Sequence, residues 1–187
     1  MTESIPVQQE NNKVNGDIAG GNIYKNILPE KKSALAKLAE SYQRELGSDE
    51  EQQCFIGELQ DYMKRMPDTE PRDLEQKLVA ANRSELIQDA KFLKEKFTKK
   101  LYKHAFSPNA QNIFVHILAS INACFRLKIK PLIFAGETSR SIDEAIFRNI
   151  VEAIYNDVGN SELGVDMDDI HGMLYYLTGN CYINWDK

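Results

Sequence analysis

The stretch Ser107-Pro108-Asn109-Ala110-Gln111-Asn112-Ile113-Phe114-Val115-His116-Ile117-Leu118-Ala119-Ser120-Ile121-Asn122-Ala123-Cys124-Phe125-Arg126-Leu127 decides the architecture. Serine before proline starts a helix. The serine hydroxyl accepts from a first-turn amide, and proline at the first helical position lacks an N–H that would go unpaired anyway. From about Asn109 to Leu127, the apolar residues Ile113, Phe114, Ile117, Leu118, Ile121, Cys124 and Phe125 nearly encircle the helix. A helix apolar on most sides is touched on most sides. The stretch predicts a central helix with others packed around it.

Working outward, Pro131–Gly136 (PLIFAG) is short, apolar and bounded by breakers, and reads as a buried loop or brief extended piece. Ser141 opens another helix, with Ile142, Ala145, Ile146, Ile150, Ala153 and Ile154 aligned. After a loop from Asn156 to Val165, Asp166, Asp168 and Asp169 put negative charge where a helix N-terminus favours it. The last helix then spans Ile170 to Leu177 and ends at Gly179. Upstream, Ser84 opens a long helix with Ala90, Leu93, Phe97 and Leu101 inward. A short helix spans Arg72 to Ala81, with Leu74, Leu78 and Ala81 in register. Another carries Cys54, Phe55, Leu59, Tyr62 and Met66, capped by Ser48 or Asp49. The first, from about Glu30 to Leu46, has Leu35, Leu38, Ala39, Tyr42 and Leu46 on one face and stops at Gly47. The pattern predicts an all-α compact bundle of about six to seven helices, with short extended segments at both ends.

Two parts are expected: a flexible tail over 1–28 and a helical interaction domain over 29–187. The tail begins polar and then reads Gly16-Asp17-Ile18-Ala19-Gly20-Gly21-Asn22-Ile23-Tyr24-Lys25. There, short apolar pieces hinge at two glycines that take positive φ cheaply. Read alone, the segment is either a linker or, through Ile18 and Ile23, an edge that pairs with copies on other chains to form a homo-oligomer.

Charge and composition exclude several classes. A net charge of −5 on 187 residues disfavours wholesale nucleic-acid wrapping. The 3 scattered cysteines give no disulfide framework and point to a reducing, cytoplasmic setting. The N-terminus has neither the basic start nor the apolar run of a signal peptide. The most apolar region, Ile113 to Ile133, is broken by His116, Asn122, Arg126, Lys128, Lys130 and Pro131, so no membrane span is expected.

The chemistry-bearing residue types do not assemble into a catalytic pattern. No phosphate loop with a downstream Lys-Ser/Thr and no nucleophile elbow is present. The 3 histidines, His104, His116 and His171, are not spaced as a helical metal pair. Cys181 with His171 is the one thiol–base combination to consider, and a buried core cysteine is the plainer reading. The chain is therefore read as not an enzyme, without cofactor or metal. Lys91, Lys94, Lys99, Lys100 and Lys103 line the outer face of their helix. That face is either an ordinary solvated one with i,i+4 ion pairs or a nucleic-acid contact, with Arg126 to Lys130 as a second basic stretch. Tyr175, Tyr176, Tyr182 and Trp185 cluster near the C-terminus, either as core or as interface anchors.

Two motifs carry a family resemblance. Val14 to Lys25 resembles the "GD-hydrophobic-x-G" linker of many bacterial conflict proteins. Asp169-Ile170-His171-Gly172-Met173-Leu174-Tyr175-Tyr176-Leu177-Thr178-Gly179-Asn180-Cys181-Tyr182-Ile183-Asn184-Trp185 is similar to the closing motif of helical C-terminal domains in ABC-three-component systems. In that motif a Gly-Met-Leu-Tyr helix leads into Cys-hydrophobic-x-x-Trp. The helix at Leu35-Ala36-Lys37-Leu38, with Tyr42 and Glu45, fits the start of such domains. The resemblance implies antiphage or anti-plasmid defence, with protein partners: an effector subunit, an SMC-like ATPase and a middle component. Gly16, Asp17, Ile18, Gly20, Gly21, Ile23 and Tyr24, with the C-terminal aromatics, are the candidate contact residues for an adaptor. The expected function is a non-catalytic adaptor or oligomerisation module. The alternatives are a nucleic-acid-binding subunit and a fragment of a larger effector enzyme, since such domains normally follow an effector and nothing catalytic precedes Gly16.

Overall fold

The helix entered at Ser107–Pro108 is the centre of the computed structural model, which describes residues 33–45, 55–67, 71–158 and 161–186. The readings made for Gly16–Lys25, for Gly47, Ser48 and Asp49, and for Cys54 lie outside the described residues. Seven helices and no strand occur among the described residues, so the chain is an all-α bundle. The first four are α1 (Ala34–Glu45), α2 (Gly57–Met63), α3 (Leu74–Ala80) and α4 (Ile87–Lys103), the last entered through a 3-10 turn at Ser84–Leu86. Helix α5 runs from Pro108–Cys124 through a π-helical turn, Phe125–Ile129, into Lys130–Ala135. Helix α6 has the same construction: Ser139–Ile146, a π turn at Phe147–Glu152, then Ala153–Val158. Helix α7 is Met167–Gly179.

Helix α5 packs against α1, α2, α6 and α7. Its core residues Ile113, Phe114, Ile117, Leu118 and Ile121 are fully buried. The Ser107 hydroxyl accepts from the Ala110 amide at 3.1 Å, as the serine–proline start predicts. The longest pairing is α4 against α7. There Phe97 sits edge-on between Phe114 (5.7 Å between centroids) and Tyr176 (5.3 Å).

Both π turns follow from the spacing of the buried residues. On α5 these are Ile117, Ile121, Phe125, Ile129 and Ile133; on α6, Ile142, Ile146, Ile150, Ile154 and Val158. Each series advances by four. A step of four overshoots a 3.6-residue turn by about 40°, so four steps would carry a plain α-helix roughly 160° off the core. A wider turn holds more residues and takes the stripe back toward the core. On α5 its mark is the Lys130 amide, which donates to the Phe125 carbonyl five residues back. Pro131 comes immediately afterward, where its missing N–H and its ring are least disruptive.

The expectation of a buried loop or extended piece at PLIFAG is therefore corrected. Lys130–Ala135 is helical, Ile133 is buried, Leu132 packs against the core, and Phe134 stands 52% exposed. The helix ends in a Schellman motif: Gly136 is left-handed at φ 78°, its amide donates to Ile133 O, and the Glu137 amide donates to Leu132 O. Helix α6 begins two residues earlier than expected because Thr138, not Ser141, is the cap, its hydroxyl accepting from the Ser141 amide. Helix α7 starts at Met167 behind a capping box in which Asp166 and Asp169 each accept the other's amide, at 2.7 and 3.0 Å. It continues through Gly179 to end on a left-handed Cys181.

Candidate interaction surface

The C-terminal segment after α7 turns back across α3. Cys181 takes φ 66°, with its amide donating to Thr178 O and the Tyr182 amide to Leu177 O. This is a Schellman motif with cysteine in the position that glycine usually fills. Asn180 then donates to Tyr62 O at 3.0 Å, and the Tyr182 and Tyr62 rings lie 5.1 Å apart.

Three cations hold this segment down. The buried Lys77 ammonium donates to Thr178 O (2.8 Å) and Ile183 O (3.4 Å). Arg72 grips both oxygens of Asp186, at 2.5 and 3.1 Å. That guanidinium holds the Asp186 carboxyl below the usual carboxylate range. Arg83, 4% exposed, donates to Glu85 and to both Asp143 oxygens, and its guanidinium lies 5.7 Å from the Trp185 ring centroid. The indole N–H donates to Thr178 Oγ1 at 3.0 Å. Neither Lys77 nor Arg83 stood out in the sequence. The available signal for Lys77 was its position three residues after Leu74 and one before Leu78, on the inward face of α3.

The rings read as interface anchors belong to this packing. Tyr175, Tyr176 and Trp185 are 6%, 7% and 4% exposed. Trp185 stacks near Tyr175 (6.3 Å) and meets Phe125 edge-on (5.4 Å). Burial pushes the Tyr175 hydroxyl up to about 12. Here the three rings cover the α5–α7 core. Tyr182 is half-buried.

The lysine face of α4 is also otherwise engaged. Lys91 pairs with Glu75, Lys99 with Glu95 at 2.8 Å, and Lys100 with Asp169 and the Gly164 carbonyl. Lys96 reaches Asp166 (2.8 Å) and Asp168 (3.2 Å). Only the Lys99 pair is the i,i+4 pair that the sequence suggests. The others reach α3 or the start of α7, so the acids at that helix start serve both its cap and α4. A phosphate backbone would have to displace these carboxylates at Lys91, Lys99 and Lys100. Lys94 lies against Gly179, and Lys103 closes the helix.

The histidines and cysteines are spread through the packing. Burial lowers His104, which lies edge-on to Tyr42 and Phe114, and lowers His171, whose Nδ1 is 3.2 Å from Met167 O. Cys181 Sγ meets Arg65 Nε (3.0 Å) and Arg72 O (3.8 Å), so the thiol faces a guanidinium. His171 lies ten residues earlier on α7, about 15 Å along the axis, too far to act as its base. Among the described residues no group of three or more His, Cys, Asp or Glu could hold a metal ion, and no helix is long and apolar enough to cross a membrane.

What the surface does offer is exposed apolar area that sequence reading missed. Phe92, Tyr102 and Phe106 are 66%, 58% and 57% exposed on and just after α4. Leu127, at 69%, and Phe134 stand out from the far half of α5. A cleft of about 360 Å³ opens beside the C-terminal segment, among Arg83, Ile133, Glu137, Ile142 and Trp185.

A family model described as C-terminal domain 9 of the ABC-three component (ABC-3C) systems matches residues 73–185. That is more than half of the chain, and the chain belongs to this family. The match takes in α3 to α7 and the clamped C-terminal segment; α1, with the Leu35 helix expected to open the domain, precedes it. No curated protein and no solved structure matches the chain.

Proposed function

We propose that this chain is a non-catalytic adaptor of an ABC-3C defence system, joining an effector to an SMC-like ATPase or middle component by protein–protein contacts in the cytoplasm. Membership of the C-terminal domain 9 family carries the reading. The large exposed apolar side chains on α4 and α5 support it, because apolar area facing water is where protein interfaces form. A role for Gly16–Tyr24 in self-association is part of the proposal. The ion pairs on α4 favour it over the nucleic-acid reading.

The test is light scattering of the purified chain alone, without Met1–Lys25, and mixed with the purified ATPase and middle component of its own system. The expected result is a defined complex with one of them, and an oligomer that shrinks on truncation. A chain that stays monomeric and joins neither component would overturn the adaptor reading.

A further inference from the structure

We infer that the outer stripe of α5 along and just after its π turn is a docking site for an acidic amphipathic helix of a partner protein. The inference rests on the adaptor reading above and gives it a place on the fold. Ile129 and Ile133 point inward, so Leu127, Pro131 and Phe134, spaced i, i+4, i+7, lie together on the opposite face. All three are exposed. That spacing is the one by which a helix presents anchors to another helix. Together, exposed leucine, proline and phenylalanine side chains give an apolar stripe outside the core, of which only Ile133 in this last segment is buried.

The charge around the stripe selects the partner. Arg126, Lys128 and Lys130 alternate with it. Among the described residues none of the three pairs with a carboxylate: Lys128 donates to the Asn149 side-chain oxygen at 3.1 Å, and Lys130 lies 5.5 Å from the Phe134 ring centroid. Several other cations are used internally, as at Arg72, Arg83, Lys91, Lys96, Lys99, Lys100 and Arg148. Three such cations around an apolar stripe, on a chain of net charge −5, are complementary to a helix that carries leucines flanked by aspartate and glutamate. Leucine and proline side chains give a phosphate backbone nothing, which favours a peptide over nucleic acid.

The experiment uses the full chain with three probes: a helical peptide with leucines at i, i+3, i+7 flanked by glutamates, its scrambled form, and a DNA duplex. Fluorescence anisotropy reads binding to the wild type, to Leu127→Ser with Phe134→Ser, and to Arg126→Glu with Lys130→Glu. The peptide should bind, the scrambled form should not, and each double variant should weaken binding at least tenfold. No peptide binding, binding that neither variant changes, or DNA binding that only the charge reversal removes would overturn the site. Because the serine variant alters only exposed residues, its thermal midpoint should match the wild type; if it does not, the charge reversal decides alone. Co-purification with the ABC-3C components separates the two readings. A complex that forms equally with the variants sinks the docking site and leaves the adaptor; no complex with the wild type sinks the adaptor.

Discussion

Replacing Gly172 by alanine tests the packing on which the bundle depends. Gly172 lies where α7 crosses α4. A methyl group there would sit 2.9 Å from Phe97 Cβ and 3.1 Å from the Leu93 carbonyl carbon, and closer still to its oxygen. Carbon atoms rest about 3.5–4.0 Å apart, so the shortfall at Phe97 is roughly 0.6–1.1 Å. The obstacle is α4 backbone, which cannot swing aside, so the helices must separate and loosen Phe97 against Tyr176. Overpacking of this kind costs about 1–3 kcal/mol and occasionally more, and alanine returns about 1 kcal/mol of helix propensity. With backbone in the way the upper end applies, for a net loss of about 2 kcal/mol and a fall in Tm of roughly 4–8 °C for a chain of this size. Two controls isolate the effect. At Gly57, first in α2, a methyl meets nothing within 4 Å; at Gly179 it meets the Lys94 Nζ at 2.7 Å, the free end of a flexible chain. Alanine at Gly57 should be neutral to stabilising, and at Gly179 close to neutral. Thermal unfolding followed by circular dichroism reads all three. If Gly172→Ala melts with or above the two controls, the close approach of α4 and α7 is wrong.

Lys100→Met should cost about 3–5 kcal/mol in denaturant unfolding, because Asp169 is 1% exposed and would lose its charge partner; Lys99→Met, at an exposed pair, should stay within about 0.5 kcal/mol. Trp185→Phe should lower stability by about 1–3 kcal/mol, since the Thr178 hydroxyl loses the indole donor and Arg83 loses part of its ring; an unchanged unfolding midpoint would remove the C-terminal segment from the core. Stability should also fall on acidification in two stages. Burial holds His104 and His171 below 6.5, so the unfolded chain binds protons that the folded chain refuses, and stability present above that value is lost as pH drops from about 7 toward 5. Asp186, held below 3.8 by Arg72, and Asp166, where burial is outweighed by Lys96 and the Asp169 amide together, add a second loss as pH falls below about 4. A Tm that is flat from pH 7 to 5, or that does not flatten in that range on His104→Phe, contradicts the first stage.

Local signals carried much of the fold. The serine–proline start of α5, the aspartates at the head of α7 and the 3.6-residue periodicity of α4 act over one or two turns, and each is visible in a short window. The every-four spacing of Ile142, Ile146, Ile150 and Ile154 was equally visible, yet its meaning is not local: four-residue steps demand a wider turn only if a core keeps one face fixed. The same cause made PLIFAG a helix, because a proline after a π turn no longer breaks it. The family, too, was legible, since the closing motif from Asp169 to Trp185 is a contiguous pattern and lies within the matched residues.

The roles of the charged and aromatic side chains were settled only by the tertiary structure. Lys100 meets Asp169 and Lys96 meets Asp166 across about seventy residues of chain, and no window of sequence contains both partners. Tyr175, Tyr176 and Trp185 have the chemistry of interface anchors and the placement of core, and composition cannot tell the two apart. Leu127 and Phe134 show the converse: apolar residues that the turn of one helix leaves facing water. Sequence by itself determined most of the helical segments, Lys130–Ala135 excepted, because helix formation depends mainly on neighbours a few residues apart. Which faces are left over for a partner was decided by the packing, because exposure is what remains once every helix has chosen its neighbours.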